Sequence, residues 1–468
     1  MKDVRVVLIS TYDLGRQPLG LASPAAGLRR AGVETDCVDT SRQALDDETV
    51  RRASLIAFHL PMHTATRLAA PVIDRVRAVN PSATVVAYGL YAPLNAQWLH
   101  DRGVSAVLGP EAEEELVSLA KSHAAHNSQL PIPNVQTRAE ELPRLKFIQP
   151  DRTTLPPLQR YAALQMPDGS RRVAGATDAT RGCKHLCRHC PIVPVYKGAF
   201  RVIPVATVLD DVRAQVAAGA QHISFGDPDF LNGPAHARRI VERLAVECPG
   251  VTYDVTIKIE HLLKHADMLP LLRDTGCLFV TSAVESIDES VLTRLRKGHT
   301  REDFVRAVSL CRDAGVRLSP TFVPFTPWTT AAGYVELLDQ LAVLGLEDDV
   351  APVQLGIRLL VTADSALLEL DEIRAAVDAF DAESLTWPWR HRDPSIDRLQ
   401  ARVMEIVAST RGASRRDVFE VIDAAARECA GFERRTTSAA RRTDSPAPCL
   451  TEAWYCCAEP GPDIANYV

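Results

Sequence analysis

Short apolar runs alternate with polar or amphipathic stretches over roughly the first quarter of the chain. The apolar runs are VRVVLIS at 4–10, LIAFHL at 55–60 and TVVAYGL at 84–90, and helical patterns lie near 66–78 and 94–102. A strand, a loop and a helix recur in that order, which is typical of a doubly wound parallel sheet. The pattern predicts a Rossmann-like α/β domain over residues 1–122.

A second series of strand and helix patterns follows a change in composition. Residues 123–170 are polar and rich in proline, which predicts a connector between domains. From 171 to 365, apolar segments such as HISFGD, TYDVTIKIE and CLFVTSAVES alternate with helical stretches. About six such units predict a partial TIM-like (β/α)6 barrel.

The last hundred residues change character twice. Residues 366–430 have a mainly helical pattern, whereas the segment GFERRTTSAARRTDSP has low hydrophobicity and alternating small, polar and basic residues. The chain then ends in PCLTEAWYCCAEPGPDIANYV, where aromatic residues and cysteines return. We expect a helical C-terminal region followed, over 431–468, by a flexible tether and a cysteine tail that docks on the protein.

Composition narrows the class of protein. The chain has 468 residues, 46% hydrophobic residues and a formal net charge of −6, which fits a globular protein and disfavours general nucleic-acid binding. No apolar run approaches the length of a membrane span, and the first residues read directly into a strand instead of a signal peptide. We expect a soluble, cytoplasmic protein.

Eleven cysteines in such a chain indicate metal or redox chemistry. Three of them, Cys183, Cys187 and Cys190, are spaced x3 and then x2 directly after the presumed first barrel strand. Three thiolates there can bind three irons of a cubane cluster and leave the fourth iron open. The alternative is structural zinc, with His185 or His189 as the fourth ligand.

The spacing of these cysteines resembles that of the radical S-adenosylmethionine (SAM) superfamily, over roughly residues 172–362. The resemblance implies a [4Fe-4S] cluster on Cys183, Cys187 and Cys190, with SAM bound at the open iron. It also implies reductive cleavage of SAM to a 5'-deoxyadenosyl radical, and an electron donor such as flavodoxin or ferredoxin.

Later strands match further features of this family. The segment ISFGDPDF lies where the family receives the methionine amino group, and TIKIE lies where a basic residue often meets the carboxylate. SAVES resembles the family's G-V-E-S segment, and RLRKGHT resembles a segment that follows it. The cofactor contacts that the resemblance implies are Gly226, Asp227, Asp229, Lys258, Glu285 and Ser286.

Two segments depart from the family pattern. His189 stands before the last cluster cysteine, where an aromatic residue is usual, and FVPFTPWTT replaces a G-x-P-G-E-T turn. These departures affect how the cofactor is oriented and leave the cluster ligands unchanged.

The first loop and helix of the N-terminal domain have the sequence GRQPLGLASPAAGLRRAG. With this segment, the domain resembles the cobalamin-binding module of one radical SAM subclass over roughly residues 1–120. Its first loop lacks the D-x-H-x-x-G ligand motif, because Asp13 is followed by Leu14, Gly15 and Arg16. Cobalamin is therefore left open as a cofactor, and a corrinoid-dependent radical methyltransferase is the alternative function.

The ending WYCCAEP resembles the tail of radical SAM proteins known by a CCAEP or selenocysteine-bearing CUAEP terminus. Selenium in place of sulfur implies a reactive atom, so Cys456 and Cys457 are taken as catalytic residues. They can serve as hydrogen-atom or electron donors, as a redox handle, or as soft ligands for selenium or arsenic. The resemblance implies a small-molecule or thiophilic-element substrate; a non-enzymatic zinc-containing binding or regulatory protein is the second alternative.

Overall fold

The N-terminal part of the chain forms a five-stranded parallel sheet in the order β2-β1-β3-β4-β5. The computed structural model describes residues 4–124, 145–410, 412–435 and 446–452. The strands are β1 (Arg5–Ser10), β2 (Glu34–Asp39), β3 (Leu55–His59), β4 (Thr84–Tyr88) and β5 (Ala106–Val107). The helices are α1 (Leu19–Arg30), α2 (Asp47–Arg52), α3 (His63–Val79), α4 (Ala96–Asp101) and α5 (Glu113–Ala124).

Helices cover both faces of this sheet, which is why its strands are apolar throughout. Val6, Val7, Leu8 and Ile9 of β1 are all fully buried, alternately under two separate apolar clusters. The chain runs from β1 to β2 on one side and returns to β3 on the other. A crevice suited to a ligand therefore opens at the carboxyl ends of β1 and β3.

The second sheet has seven strands in the order β13-β12-β11-β10-β7-β6-β14. Its strands, with a separate two-stranded hairpin β8-β9, are β6 (Ala163–Gln165), β7 (Arg171–Thr177), β8 (Thr180–Gly182), β9 (Phe200–Val202), β10 (His222–Phe225), β11 (Thr252–Thr256), β12 (Cys277–Glu285), β13 (Arg317–Phe322) and β14 (Cys449–Leu450). The five strands from β7 to β13 in this sheet are parallel, whereas β6 and β14 extend one edge in antiparallel orientation.

Helices follow the parallel strands and complete a curled half-barrel. They are α6 (Ile192–Tyr196), α7 (Val205–Ala217), α8 (Pro234–Glu247), α9 (Ile259–Lys264), α10 (Met268–Asp274), α11 (Glu289–Leu295), α12 (Arg301–Asp313) and α13 (Ala331–Val343). The C-terminal region adds α14 (Asp371–Arg374), α15 (Pro394–Ser409) and α16 (Arg415–Ala430).

The predicted fold class is confirmed, with two local differences. The sixth barrel strand is reduced to a single parallel bridge between Phe325 and Arg358, because a 3-10 turn at Pro352–Leu355 occupies part of that segment. Strand β6 lies inside the predicted connector, where it pairs with β7 to extend the barrel sheet. Among the described residues, no helix combines the length and apolarity needed to cross a membrane.

The carboxyl ends of the two parallel sheets face the same cavity, of about 790 Å³. Residues from the loops after β1, β3 and β4 line one side, and residues from the loops after β7, β8 and β10 line the other. This volume is suited to ligands of the size of organic cofactors and substrates.

Candidate functional site

The cysteine loop, residues 183–190, leaves the barrel directly after β8. Gly182 has a φ of +79°, and a side chain there would overlap the Tyr196 ring and lie 2.7 Å from the Ala199 carbonyl oxygen. Only glycine fits this close turn. The loop is then held by its backbone, because Arg188 N donates to Leu295 O at 3.0 Å and Cys190 N donates to Cys187 O at 3.1 Å.

Cys183, Cys187 and Cys190 all line the cavity. Among the described residues, only His185, Asp229 and His261 form a trio of ligand atoms within 4.8 Å of one another, so at least two of the three cysteine sulfurs are farther apart than that. Thiolates on one tetrahedral zinc, with bonds of about 2.3 Å, would lie about 3.8 Å from one another. The wider spacing fits ligands to separate irons of a cluster.

Burial raises the pKa of the Cys183 thiol to about 11. This thiol keeps its proton at neutral pH until a metal displaces it. The donor set and its spacing therefore fit a [4Fe-4S] cluster.

Three polar side chains join the cysteine loop to the ends of β10 and β11. His185 Nε2 lies 3.1 Å from Asp229 Oδ2, and His261 Nδ1 lies 2.6 Å from the same oxygen. Burial favours the neutral acid, but His185 and His261 outweigh it and hold the pKa of Asp229 below its usual range. Asp229 thereby fixes the position of the loop that carries the cysteines.

Lys258 determines how this group is protonated. Its Nζ lies 3.2 Å from His185 Nδ1 and 3.2 Å from Glu260 Oε2. Because an ammonium only donates, His185 Nδ1 must accept, which leaves Nε2–H to donate to Asp229. Lys258, His185 and Asp229 are therefore joined by hydrogen bonds, and His261 contacts the same Asp229 oxygen.

A buried ion pair lies elsewhere on the barrel side of the cavity. Glu285 ends β12 with a φ of +69°, and its Oε1 accepts hydrogen bonds from His189 Nε2 at 3.1 Å and Lys297 Nζ at 3.3 Å. Burial opposes ionisation, yet Lys297 and His189 hold the pKa of Glu285 at about 2. Lys297 also feels the charges of Cys187 and Cys190, which with Glu285 raise its pKa against the effect of burial.

This arrangement explains the departure at His189. An imidazole in place of an aromatic hydrocarbon satisfies one Glu285 oxygen next to the cluster loop. The roles of His189 and Lys297 were not predicted from the sequence, although the segment RLRKGHT, which contains Lys297, resembles a family segment.

The other predicted cofactor contacts have different environments. Gly226 lines the cavity, and a side chain there would overlap Asp178. Asp227 also lines it, but its carboxylate accepts from Ala179 N, Thr180 N and the Thr180 hydroxyl, so it holds the turn between β7 and β8.

Ser286 lies outside the cavity lining. Its hydroxyl accepts a hydrogen bond from Asp288 N at 3.0 Å, in the turn before α11.

The N-terminal domain contributes the facing wall. Ser10, Asp39 and His59 end three adjacent strands in register, which places their side chains along one edge. His59 lines the cavity beside Gly20, and burial lowers its pKa to about 3, so its imidazole is neutral. His63 instead bonds to Ser384 O at 2.7 Å.

The chain re-enters the cavity near its C-terminal end. Residues 449–450 form β14 alongside β6, and Thr451 N donates to Ala163 O at 2.9 Å. Glu452 accepts a hydrogen bond from the Tyr12 hydroxyl at 2.9 Å and lies 3.5 Å from Arg42. Pro448 and each residue from 449 to 452 line the cavity, whereas Cys456 and Cys457 lie outside the described residues.

Residues 178–338 match the family model described as the Radical SAM superfamily. The matched segment contains the cysteine loop and the strands from β8 to β13. This part of the chain is therefore a radical SAM domain, of the family that uses a [4Fe-4S] cluster and SAM.

Relatives of known function are distant and only partly covered. The hopanoid C-3 methylase of Methylococcus capsulatus is 22% identical over 325 residues, which are 67% of this chain and 62% of that protein. The tRNA-2-methylthio-N(6)-dimethylallyladenosine synthase of Desulfosudis oleivorans is 27% identical over 194 residues, 38% of this chain and 39% of that protein. The chain thus spans less than two thirds of the length of either relative.

Solved structures share the fold over longer stretches. The radical SAM methyltransferase TsrM from Kitasatospora setae, with cobalamin and a [4Fe-4S] cluster bound, superposes with a TM-score of 0.58 at 18% identity, covering 74% of this chain and 70% of TsrM. The cobalamin-dependent radical enzyme OxsB, with aqua-cobalamin and SAM bound, gives a TM-score of 0.67 at 13% identity, covering 88% and 67%. These likenesses show a common two-domain fold.

Proposed function

We propose that this protein is a radical SAM enzyme whose Cys183, Cys187 and Cys190 bind a [4Fe-4S] cluster. The observation that carries the proposal is that these three thiols line one cavity, within a segment that matches the Radical SAM superfamily. A cluster held by these thiols would pass one electron, received from a donor such as flavodoxin or ferredoxin, to SAM; SAM would then give methionine and a 5'-deoxyadenosyl radical able to take a hydrogen atom from the substrate.

The residues of the cavity have distinct parts in this proposal. Lys258, held by His185 and Glu260, presents a fixed positive charge to the methionine carboxylate, and the segment of Gly226 and Asp227 receives the amino group. Glu285 and Lys297 neutralise each other beside Cys187 and Cys190, which keeps that wall rigid without adding net charge. The mainly apolar lining of the cavity suits a reaction from which water and other hydrogen donors must be kept away.

The tail thiols Cys456 and Cys457 complete the proposed catalytic residues. The described anchor ends at Glu452 inside the cavity, four positions before Cys456. Four residues reach at most about 14 Å, which is enough to bring a thiol to a substrate in the same cavity. The tail thiols are proposed to assist turnover of a small-molecule or thiophilic-element substrate.

The test is anaerobic reconstitution with iron and sulfide, followed by visible and electron paramagnetic resonance spectra and by dithionite-driven SAM cleavage. A reducible four-iron cluster that yields 5'-deoxyadenosine and methionine is expected. Protein that holds zinc alone and leaves SAM intact would favour the zinc-containing binding protein instead. Cys456→Ser and Cys457→Ser variants should keep the cluster spectrum and SAM cleavage, while product formation in extracts that supply the substrate stops.

A corrinoid-dependent radical methyltransferase is the second candidate, favoured by the N-terminal sheet that this chain shares in fold with cobalamin-bound TsrM and OxsB. The cavity edge offers a neutral imidazole at His59, which fits a corrinoid because a neutral imidazole can coordinate metal. Equilibrium binding of hydroxocobalamin to wild type and to His59→Ala, followed by the corrin absorption bands, tests this. Unchanged bands in the presence of wild-type protein would remove this candidate.

A further inference from the structure

Two carboxyl groups face the cavity from opposite domains. Asp13 lies in the loop after β1, and Asp178 lies directly after β7, the first parallel barrel strand. Both line the cavity, and neither side chain accepts a hydrogen bond from any residue in the described part of the chain. Carboxylates placed in this way are ready to accept from a ligand.

A third carboxyl group stands behind them. Asp39 is fully buried and does not line the cavity; its Oδ1 accepts from Ser41 N and from the Ser41 hydroxyl, and Tyr161 and Arg42 are its other polar neighbours. Its negative charge adds to the potential at Asp13.

The charges around these groups do not balance. Arg152 is paired with Asp211 at 2.8 Å, and Arg181 with Glu113 at 2.6 Å. Arg16 makes no ion pair with a described carboxylate, and its Nε is buried without a partner. Arg16 Nη1 and Asp178 Oδ1 both lie within 3.4 Å of the point that a Cβ at Gly226 would occupy. Asp13 and Asp178 thus share Arg16, a guanidinium without an ion-pair partner among the described residues.

We propose that Asp13 and Asp178, here called the carboxylate crevice, bind a positively charged group of the substrate, an ammonium or a guanidinium. The group would lie at the boundary of the two domains, next to Gly226 and hence next to the predicted SAM site. That this group belongs to a substrate rests on the proposed radical function, whereas the binding of a cation does not.

Binding of a cation to the carboxylate crevice should release protons from it. Burial and the charges of Asp178 and Asp39 raise the pKa of Asp13 to about 7, against the opposing effect of Arg16 and Arg152. Burial and Asp211 also raise the pKa of Asp178, against Arg181, Arg16 and Arg152, and burial raises that of Asp39. Because a cation binds the ionised form, its affinity should increase as pH rises through 7 and then level off.

Isothermal titration calorimetry on the reconstituted, SAM-bound full-length protein tests the proposal. The probes are n-butylammonium and n-butylguanidinium chloride, with n-butanol as the neutral control. We expect binding of the cations and none of the alcohol, with proton release that shows in buffers of different ionisation enthalpy. Asp13→Asn and Asp178→Asn should weaken binding about tenfold or more, the usual effect of losing a charge-assisted contact.

Two further variants keep the test independent of folding defects. Arg16→Gln removes the competing guanidinium and should strengthen cation binding, whereas Asp46→Asn, at an exposed helix cap, should leave it unchanged. Equal binding of butanol, no binding of either cation by wild type, or unchanged affinity in both Asn variants would overturn the proposal. Failure of SAM cleavage with intact cation binding would instead count against the radical function alone.

Discussion

The two walls of the cavity are built in opposite ways. On the barrel wall, Asp227, Asp229 and Glu285 are buried carboxylates, and each is bound by two or three donors of the protein itself. On the N-terminal wall, Asp13 has no such donor among the described residues, and neither has Asp178, which faces it from the end of the first parallel barrel strand.

The barrel wall is therefore preorganised by the protein's own contacts, whereas the N-terminal wall leaves a carboxyl group available to a ligand. Carboxylates satisfied within the protein fix the loops that hold a cofactor in one geometry. Carboxylates without partners are costly unless a ligand supplies the missing contacts. The barrel wall is therefore suited to a resident group, and the N-terminal wall to a group that arrives and leaves.

The largest effect is expected where the barrel wall meets the cluster. Changing Cys183, Cys187 or Cys190 to Ala removes one of three thiolates and should abolish both the cluster absorbance and SAM cleavage after reconstitution. Cys311→Ala is the matched control, because Cys311 is a buried cysteine in the apolar core far along the barrel. Retained SAM cleavage in any loop variant would contradict the ligand assignment.

The ion pair of the barrel wall should have the next largest effect, on stability. Lys297→Met leaves Glu285 buried with only His189 as a donor, and loss of one partner of a buried pair costs about 3–5 kcal/mol. Denaturant unfolding of the cluster-free protein under reducing conditions measures this. Arg294→Met breaks the half-exposed pair with Glu372 and should cost less than about 1 kcal/mol. Similar losses in both variants would show that the barrel wall is not preorganised by this pair.

On the N-terminal wall, removing a charge should stabilise the protein. The pKa of Asp13 is raised from 3.8 to about 7, so between these pH values the folded state holds a proton that the unfolded state has lost. Stability of the wild type therefore falls as pH rises from 3.8 to 7 and is level above. Asp13→Asn removes this loss, with a gain that reaches at most about 4 kcal/mol above pH 7 and vanishes below pH 4.

Unfolding curves at pH 4 and pH 8 check the sign of this effect. Asp46→Asn serves as the control, since hydrogen bonds from Thr49 lower the pKa of exposed Asp46 and no gain at pH 8 is expected. A gain for Asp13→Asn that is equal at both pH values would mean that the carboxyl group is not desolvated as the crevice requires.

The same contrast explains what the sequence could predict. The cysteine loop and the strands are local features, because apolar periodicity and cysteine spacing are read within a few residues of one another. The two partners of Glu285 lie 96 and 12 positions away along the chain. Asp13 and Asp178 come close to each other only after the two domains meet. Long-range contacts of this kind leave no periodic signal in a single sequence.

Two residues from segments that match the family have side chains already bound within the protein. Asp229 and Ser286 come from segments that match the family, but their side chains are engaged by His185 and by Asp288 N respectively. Their role in cofactor binding stays a prediction. Asp178 was not singled out, since one acidic residue after a strand is an ordinary turn until the opposite wall is known.

The smallest effect is expected at the anchor of the tail, which joins the two walls. Thr451 Oγ1 accepts a hydrogen bond from Ala163 N at 3.0 Å, beside the β14 and β6 pairing. Thr451→Val removes this acceptor at a cost of about 1 kcal/mol, since a single hydrogen bond at a partly exposed site contributes that much. Amide hydrogen exchange over residues 446–452 should become about fivefold faster, while exchange in β1 is unchanged. Thr293→Val, on α11, alters a hydroxyl bonded only within its own helix and should leave residues 446–452 as they are. Equal acceleration in both variants would mean that the tail is not held by its pairing with β6, and that the reach of Cys456 and Cys457 into the cavity depends on other contacts.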